Sequence, residues 1–403
     1  MAGLAAAKPL IQAGKSVMIL EASDRIGGRV KTDLVDGYRL DHGFQVLLTA
    51  YPEAQEQLDY DALNLCSFKP GAVVLHEKGK SLIADPFREP VKALGTLFAP
   101  VGKFSDKLKL LRLRRDLKEV PVSHIFRMPS LGTWEMLRSK EFSDSMRYKF
   151  FLPFLSGIYL DPQLKTSSRM FDFVYKMFSE GDAAVPRLGM EEIPKQLASK
   201  LDNAQIRTQT RVSKVEGNTV TTESGEQLTA KRVLLACEPG DWLRQYNTEI
   251  PGEWHSTTCL YFAADSAPEK DPYLVLNGTR KGIVNNVMNM SAASGDYAPA
   301  GKQLISVSLV GQQAGTEEEM VQKARTELAQ WYKKQPQGWQ FLRSYTIDQA
   351  LPKIQSLYDT LPANEFKLND VLFATGDYLL NGSINGALKA GRLAGEALVE
   401  DLA

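Results

Sequence analysis

Cysteine is scarce in this chain, with Cys66, Cys237 and Cys259 far apart in 403 residues. No CxxC or Cys…His spacing occurs, so the usual signals for a zinc site or a disulfide framework are missing and a reducing compartment fits. The four histidines, His42, His76, His124 and His255, are scattered, with no HxxxH or HExxH. Neither sign of charge dominates: Lys+Arg and Asp+Glu are both 48. That balance gives no global pull toward nucleic acid, and no nucleic-acid partner is expected. No apolar run reaches the roughly 18 residues that span a bilayer. No charged segment followed by an apolar core opens the chain, so a cytoplasmic location is expected. Repeats and low-complexity tracts are absent too. The remainder is ordinary for a globular protein, 43% hydrophobic and 24% charged, and long enough for two or three domains.

Hydrophobic patterning divides the chain. Residues 2–14 have helical character, with Pro9 expected to bend the helix or bound it. SVMILEA (16–22) is a short apolar run, as in a parallel strand buried on both faces. AVVLHEKGKSLIA (72–84) predicts a hairpin around Lys78-Gly79. From about 86 to 180 glycine thins out, and Lys, Arg, Leu and aromatics recur at helical spacing, predicting an inserted helical region. Residues 206–239 are strand-rich, 255–312 alternate strands and turns, and a helix is predicted at about 316–333. The tail, VLFATGDYLLNGSINGALKAGRLAGEALVEDL, runs strand, Gly-Asp, turn and helix. Signals of one nucleotide-binding unit therefore stand at the start, middle and end, separated by stretches of different character.

Those signals are specific residues. Gly3 and Ala6 fit the second and third small positions of the turn that lets backbone approach a pyrophosphate and a helix pack on its strand. The first glycine would fall at Met1 with no strand before it, so the chain is expected to start one residue inside its phosphate loop, lacking the first strand. Glu21 closes the next strand, where an acid binds ribose hydroxyls. An Ala-rich helix and a surface glutamate would leave the same letters; EASDRIGGRV weighs against that. Two glycines allow a tight turn close to a ligand, and Arg29 can place a charge-assisted donor on a phosphate. Asp377, after Gly376 at a strand end, can accept ligand hydroxyls. The helix start near Ser383 to Gly386 offers free amides to phosphate or carbonyl groups. Gly391 and Gly395, at i and i+4, predict close helix packing.

LEASDRIGGRVKTD…DGYRLDHG closely resembles the FAD-binding segment of the flavin-containing amine oxidase and phytoene desaturase superfamily. The resemblance implies FAD, with contacts at Gly3, Ala6, Glu21, Ala22, Gly27, Gly28 and Arg29. AAVPRLGMEEIPKQLASKL (183–201) resembles the segment that returns the chain to the FAD domain, although Leu188 stands where relatives often have glycine. The following strand places the main chain of Val212 against adenine, and FATGDYLLNGSINGALKAGRLAGEAL places Gly376, Asp377, Ser383 and Ile384 at the flavin end. The fold implied is α/β: a discontinuous Rossmann-like FAD-binding domain from 1–85, 181–240 and 351–403. An inserted α+β substrate domain takes 86–180 and 241–350.

Amine oxidases of this superfamily commonly carry a lysine near the flavin, on the strand corresponding here to STTCLYFAA (256–264). No lysine occurs in it, and Thr258 aligns with that place. The Gly-x-Glu pattern of the last motif is missing as well. Both departures favour the carotenoid desaturase-like branch: hydride abstraction from a small hydrophobic, isoprenoid-like substrate, with desaturation or isomerisation. An amine oxidase with an atypical site and a non-catalytic or flavin-impaired homologue are the alternatives. Catalytic residues and a metal site are not indicated; His42, beside the flavin-facing turn, is expected to pack or bond backbone. YKFFLPFLSGIYL (148–160) is expected to line the substrate cavity or core, with Pro153 breaking any helix. Residues 87–120 mix Leu, Phe and many cations, which predicts either a solvated cationic face or peripheral membrane contact.

Overall fold

The computed structural model of the chain describes residues 1–202, 204–244, 246 and 251–403. Residues 245 and 247–250, at the start of the expected second insert, lie outside these. The run VMIL forms the strand Val17–Leu20, which pairs in parallel with Ala204–Arg207. Val17 and Ile19 pack into the main core, but Met18 is 44% exposed, so burial on both faces is not what forms here. A second parallel pair joins Val233–Leu235 to Leu372–Ala374. The two pairs are separate two-stranded sheets.

The helix Ala2–Gln12 continues through Pro9 rather than stopping at it. It crosses the C-terminal helix Ile384–Asp401 at very short range. A methyl group on Gly391 would sit 2.2 Å from the Ala2 carbonyl oxygen, and one on Gly395 would sit 2.3 Å from that of Ala6. The i, i+4 glycines thus form the contact surface between the two helices.

A seven-stranded sheet is the largest element. Its order is Gln340–Pro352, Trp254–Ala264, Gln303–Val310, Asn286–Asn289, Leu274–Asn277, Gly71–His76 and Gly79–Ala84. All neighbours are antiparallel except Leu274–Asn277 and Gly71–His76, which run parallel with Leu274 opposite Ala72. The hairpin forms around Lys78 as predicted, but its pairing attaches it to this sheet rather than to the strands of the first segment. Strand alternation sorts Trp254–Ala264 into two faces. Leu260, Phe262 and Ala264 pack with Met320, Ala324 and Leu328 of the helix Glu317–Tyr332. Cys259, Tyr261 and Ala263 face the main core on the other side.

The predicted helical region is present, with helices at Pro90–Phe98, Phe104–Lys118, Thr133–Ser139 and Ser168–Glu180 among others. Pro153 does not break its helix. A π-helical turn at Arg147–Phe151 leads directly into the helix Leu152–Tyr159, placing proline in the first turn, where its missing N–H is tolerated.

Asp41 ties several of these segments together. Its carboxylate accepts hydrogen bonds from Thr32 Oγ1 (2.5 Å), the Met190 amide (3.0 Å) and the Tyr297 hydroxyl (2.9 Å). Burial nevertheless pushes it up to about 6. A carboxyl raised on folding contributes stability that is complete below its unfolded value of about 4 and is lost as pH rises through about 6. Asp41→Asn should therefore remove a stability decline of roughly 2–3 kcal/mol across that window. Urea midpoints measured from about pH 4 to pH 7 check this; parallel pH profiles for parent and variant would refute it.

Candidate active site

A cavity of about 1690 Å³ runs between the segments expected to bind the nucleotide and the core-facing side of the seven-stranded sheet. Its polar lining starts at the turn after Val17–Leu20. Glu21 Oε1 accepts from the Ser23 amide at 2.8 Å, and Lys31 Nζ donates to Ser23 Oγ at 3.0 Å. Gly27 holds φ +114°, and a methyl there would lie 2.6 Å from the Val30 carbonyl oxygen, so only glycine fits.

This turn presents Arg29, which joins three distant segments. Its guanidinium donates to the Ala350 carbonyl at 2.6 Å and to Asp377 Oδ1 at 2.7 Å. It lies 3.6 Å from Glu238 Oε1 and stacks over Trp254 at 5.5 Å. Burial raises the Glu238 carboxyl, and Arg29 opposes that shift. Asp377 is 7% exposed and engages Arg29 through Oδ1. At the start of the C-terminal helix, Ser383 Oγ accepts from the Gly386 amide at 2.9 Å. Of the amides expected free there, Gly386's is thus used as a helix cap, while Ser383 and Ile384 line the cavity.

Of the residues expected at a cofactor, Glu21, Ala22, Gly27, Gly28, Arg29, Gly376, Asp377, Ser383 and Ile384 line this one cavity. Gly3 and Ala6 do not: they pack inside the N-terminal helix, where a methyl on Gly3 would come 3.1 Å from Ala236 Cβ. Val212 also falls outside the lining. It is 36% exposed in a three-stranded antiparallel sheet, and its neighbour Arg211 reaches the cavity instead. Sequence reasoning missed Ala236, Cys237 and Glu238, which also line it. The available signal was an acid just past the apolar run VLLA, of which only Leu235 is buried, because parallel strands end at ligand sites.

The apolar lining includes Phe44, Val46, Phe154, Ile158, Val174 and Phe178, so the aromatic stretch at 148–160 contributes to the cavity as expected. Phe154 packs on Phe178 with ring centroids 5.5 Å apart. Tyr159 lines the cavity, and its hydroxyl is buried without a hydrogen-bond partner among the described residues. On the strand Trp254–Ala264 the lining residues are His255 and Thr257, not Thr258. Thr258 is 1% exposed, and its hydroxyl lies 3.2 Å from that of Thr346. The one-residue difference follows from alternation, which puts Thr257 on the face of Cys259 and Tyr261. His42 lines the cavity but is tethered, with Nε2 3.1 Å from Asp33 Oδ2 and its ring 4.5 Å from that of Tyr345. Burial would raise Asp33, yet Arg25, Tyr345 and His42 hold it well below the usual carboxylate range.

Several features fit a bound FAD. The cavity exceeds the roughly 300–1,000 Å³ of ordinary small-ligand sites. Gly27 and Gly28 keep backbone side-chain-free at the turn, and Arg29 and the start of the C-terminal helix line the same cavity.

Comparison with known proteins gives the same cofactor. The family model of flavin-containing amine oxidoreductases matches residues 1–399. An oxidoreductase from Methanosarcina mazei is similar in structure, with TM-score 0.71 and 17% identity, covering 98% of each chain. A variant of putrescine oxidase superposes with TM-score 0.72 at 16% identity, over 99% of this chain and 96% of that one. Cyclohexylamine oxidase from Brevibacterium oxydans gives TM-score 0.66 at 16% identity, over 100% and 97%. At such identities these structures establish a shared mixed α/β fold with a large central sheet.

Proposed function

The chain belongs to the flavin-containing amine oxidoreductase family and is an FAD-dependent oxidoreductase, and we propose that it acts on an extended, largely apolar substrate by dehydrogenating or isomerising carbon–carbon bonds. The observation that carries this reading is the strand Trp254–Ala264, which turns His255 and Thr257 but no lysine toward a cavity walled by Phe44, Val46, Phe154 and Val174. Bound FAD supplies the two-electron acceptor. The apolar wall orients a long hydrocarbon and excludes water from the reacting carbons, work that needs few polar side chains.

We assign Glu21 to the adenosine ribose, the turn Gly27-Gly28-Arg29 to the pyrophosphate, and Gly376, Asp377, Ser383 and Ile384 to the flavin end. Ala22 contributes through its main chain, while Gly3 and Ala6 act by packing. Val212 is left out of the assignment. The two parallel strand pairs and the two crossed helices form, in this reading, one discontinuous Rossmann-like unit, and the hairpin at 71–84 goes with the insert.

Anaerobic mixing of the FAD-loaded chain with a detergent-dispersed isoprenoid polyene should bleach the flavin absorbance when the polyene is dehydrogenated; isomerisation, which is redox-neutral, should instead shift the polyene spectrum with no net reduction of the flavin. Putrescine and cyclohexylamine should leave it oxidised and yield no peroxide in air. Peroxide from amines, with neither bleaching by the polyene nor a shift in its spectrum, would replace this reading with amine oxidation. Phe154→Ala should lower kcat/KM for the polyene about ten-fold, the loss expected from one wall ring, while flavin content stays unchanged.

A further inference from the structure

Large hydrophobic side chains are exposed unevenly over this molecule. Of fourteen such residues among those described, seven lie between 87 and 111: Phe87, Val91, Leu97, Phe98, Phe104, Leu108 and Leu111. Single exposed hydrophobics need no explanation, but a contiguous set does. Val91 and Phe98 are 84% and 87% exposed, and their i, i+7 spacing puts them on one face of the helix Pro90–Phe98. Phe104, Leu108 and Leu111 make an i, i+4, i+7 stripe on the next helix. That stripe is not the helix's packing face. The packing face carries Leu113 and Leu117, both buried, and rests on the helix Ser168–Glu180, where Tyr175 OH donates to the Leu110 carbonyl at 2.8 Å. Lys107 Nζ donates to the Leu97 carbonyl at 2.9 Å, which clamps the two helices together.

The charge around the stripe has one dominant sign. Residues 87–118 hold nine Lys and Arg against three acids in a chain whose total charge is zero. Some of these cations are internal: Arg88 pairs with Asp182 at 2.8 Å and Arg114 with Asp85 at 2.9 Å. Lys103, Arg112, Arg115 and Lys118 are exposed, while Asp106 is buried under the Lys103 and Ser143 amides. A hollow of about 450 Å³ opens beside Val91 and Phe98, lined also by Leu82, Lys92 and Gly95.

We propose that the helix pair Pro90–Phe98 and Phe104–Lys118 docks the protein on an anionic lipid bilayer. Val91, Phe98, Phe104 and Leu108 enter the acyl boundary, and Lys103, Arg112, Arg115 and Lys118 meet the headgroups. Apolar insertion and cation–lipid attraction act together at such interfaces, each weak by itself. A second copy of this chain would set the same predominantly cationic rim against its own like charges. The inference stands whether or not the substrate is apolar.

Co-sedimentation of the full FAD-loaded chain with vesicles tests it. Vesicles with about one-third anionic lipid at low salt should bind the chain at least about ten-fold better than neutral ones. The pair Val91→Ser with Phe98→Ser should weaken that binding about ten-fold or more, with flavin content unchanged. Lys103→Glu with Arg112→Glu should erase the preference for anionic lipid. Failure to bind either vesicle at low salt overturns the proposal, as does binding that both double variants retain. So does a parent that is a dimer without vesicle affinity and that the serine pair converts to a monomer, which would make the patch a self-association surface.

Discussion

Arg29→Ala should give a folded protein that purifies nearly free of flavin and binds added FAD about 100-fold more weakly than the parent. Arg29 donates at once to Ala350 and to Asp377, residues of two segments more than 300 positions away along the chain. Its removal has two consequences. Under the proposed assignment the pyrophosphate loses a charge-assisted donor, worth about 1.5–3 kcal/mol. Asp377, whose side chain is 9% exposed, loses its cation, which adds to the loss by unfixing the flavin end of the site. The pair is discounted from fully buried values because the Arg29 side chain is 27% exposed. Arg29→Lys keeps the charge but cannot hold both partners with one planar fork, so its affinity should lie between parent and alanine variant. Asp377→Asn keeps the shape and removes the anion, separating the phosphate contribution from the ion pair. Fluorescence titration of each apoprotein with FAD reads all three. Parent-like affinity in Arg29→Ala would remove the Gly-Gly-Arg turn from the pyrophosphate assignment.

The turn that carries Arg29 was legible in the sequence, whereas its partners were not, and the difference is physical. Gly27 and Gly28 are dictated by local backbone, since φ is positive at both. A local requirement leaves a local signature. Arg29 and Asp377 meet only because the C-terminal segment returns beside the first, and no spacing encodes that. The same divide explains Thr257 and Thr258. Hydrophobicity on both faces of Trp254–Ala264 hides which face looks into the cavity, because one side packs on Glu317–Tyr332 and the other on the main core. A strand covered on both sides has no polar face to fix its phase, and a shift of one residue exchanges the faces. The hairpin at 71–84 showed its own turn but not its partner strand, which arrives about 200 residues later as Leu274–Asn277. Pro153 misled for a related reason: proline forbids the helix interior, not a helix whose preceding turn widens to admit it.

Gly391→Val should destabilise the protein by about 3 kcal/mol and release flavin well below the parent's unfolding temperature. The local cause is steric. A methyl at this position already falls 2.2 Å from the Ala2 carbonyl oxygen and 2.8 Å from Ala5 Cβ. Both obstacles belong to a helix backbone or its first carbon, so no rotamer change relieves them and the helices must separate. Alanine is the subtler test, because its helix propensity gains up to about 1 kcal/mol over glycine and opposes the clash. Gly95→Ala calibrates that gain: it also lies within a helix, Pro90–Phe98, and a methyl there meets nothing within 4 Å, so it should be neutral or slightly stabilising. The coupling to flavin follows from what the crossed helices carry. Ala2 lines the cavity from one helix, and Ser383 and Ile384 line it from the start of the other. Forcing the helices apart at Gly391 therefore opens the site from both sides, and Gly395→Val, 2.3 Å from the Ala6 oxygen, should do the same one turn away. Urea unfolding followed by tryptophan fluorescence reports the stability loss, and flavin fluorescence on heating reports release. A Gly391→Val protein that loses stability but holds flavin up to its own unfolding transition would show that the helix crossing supports the fold without shaping the site.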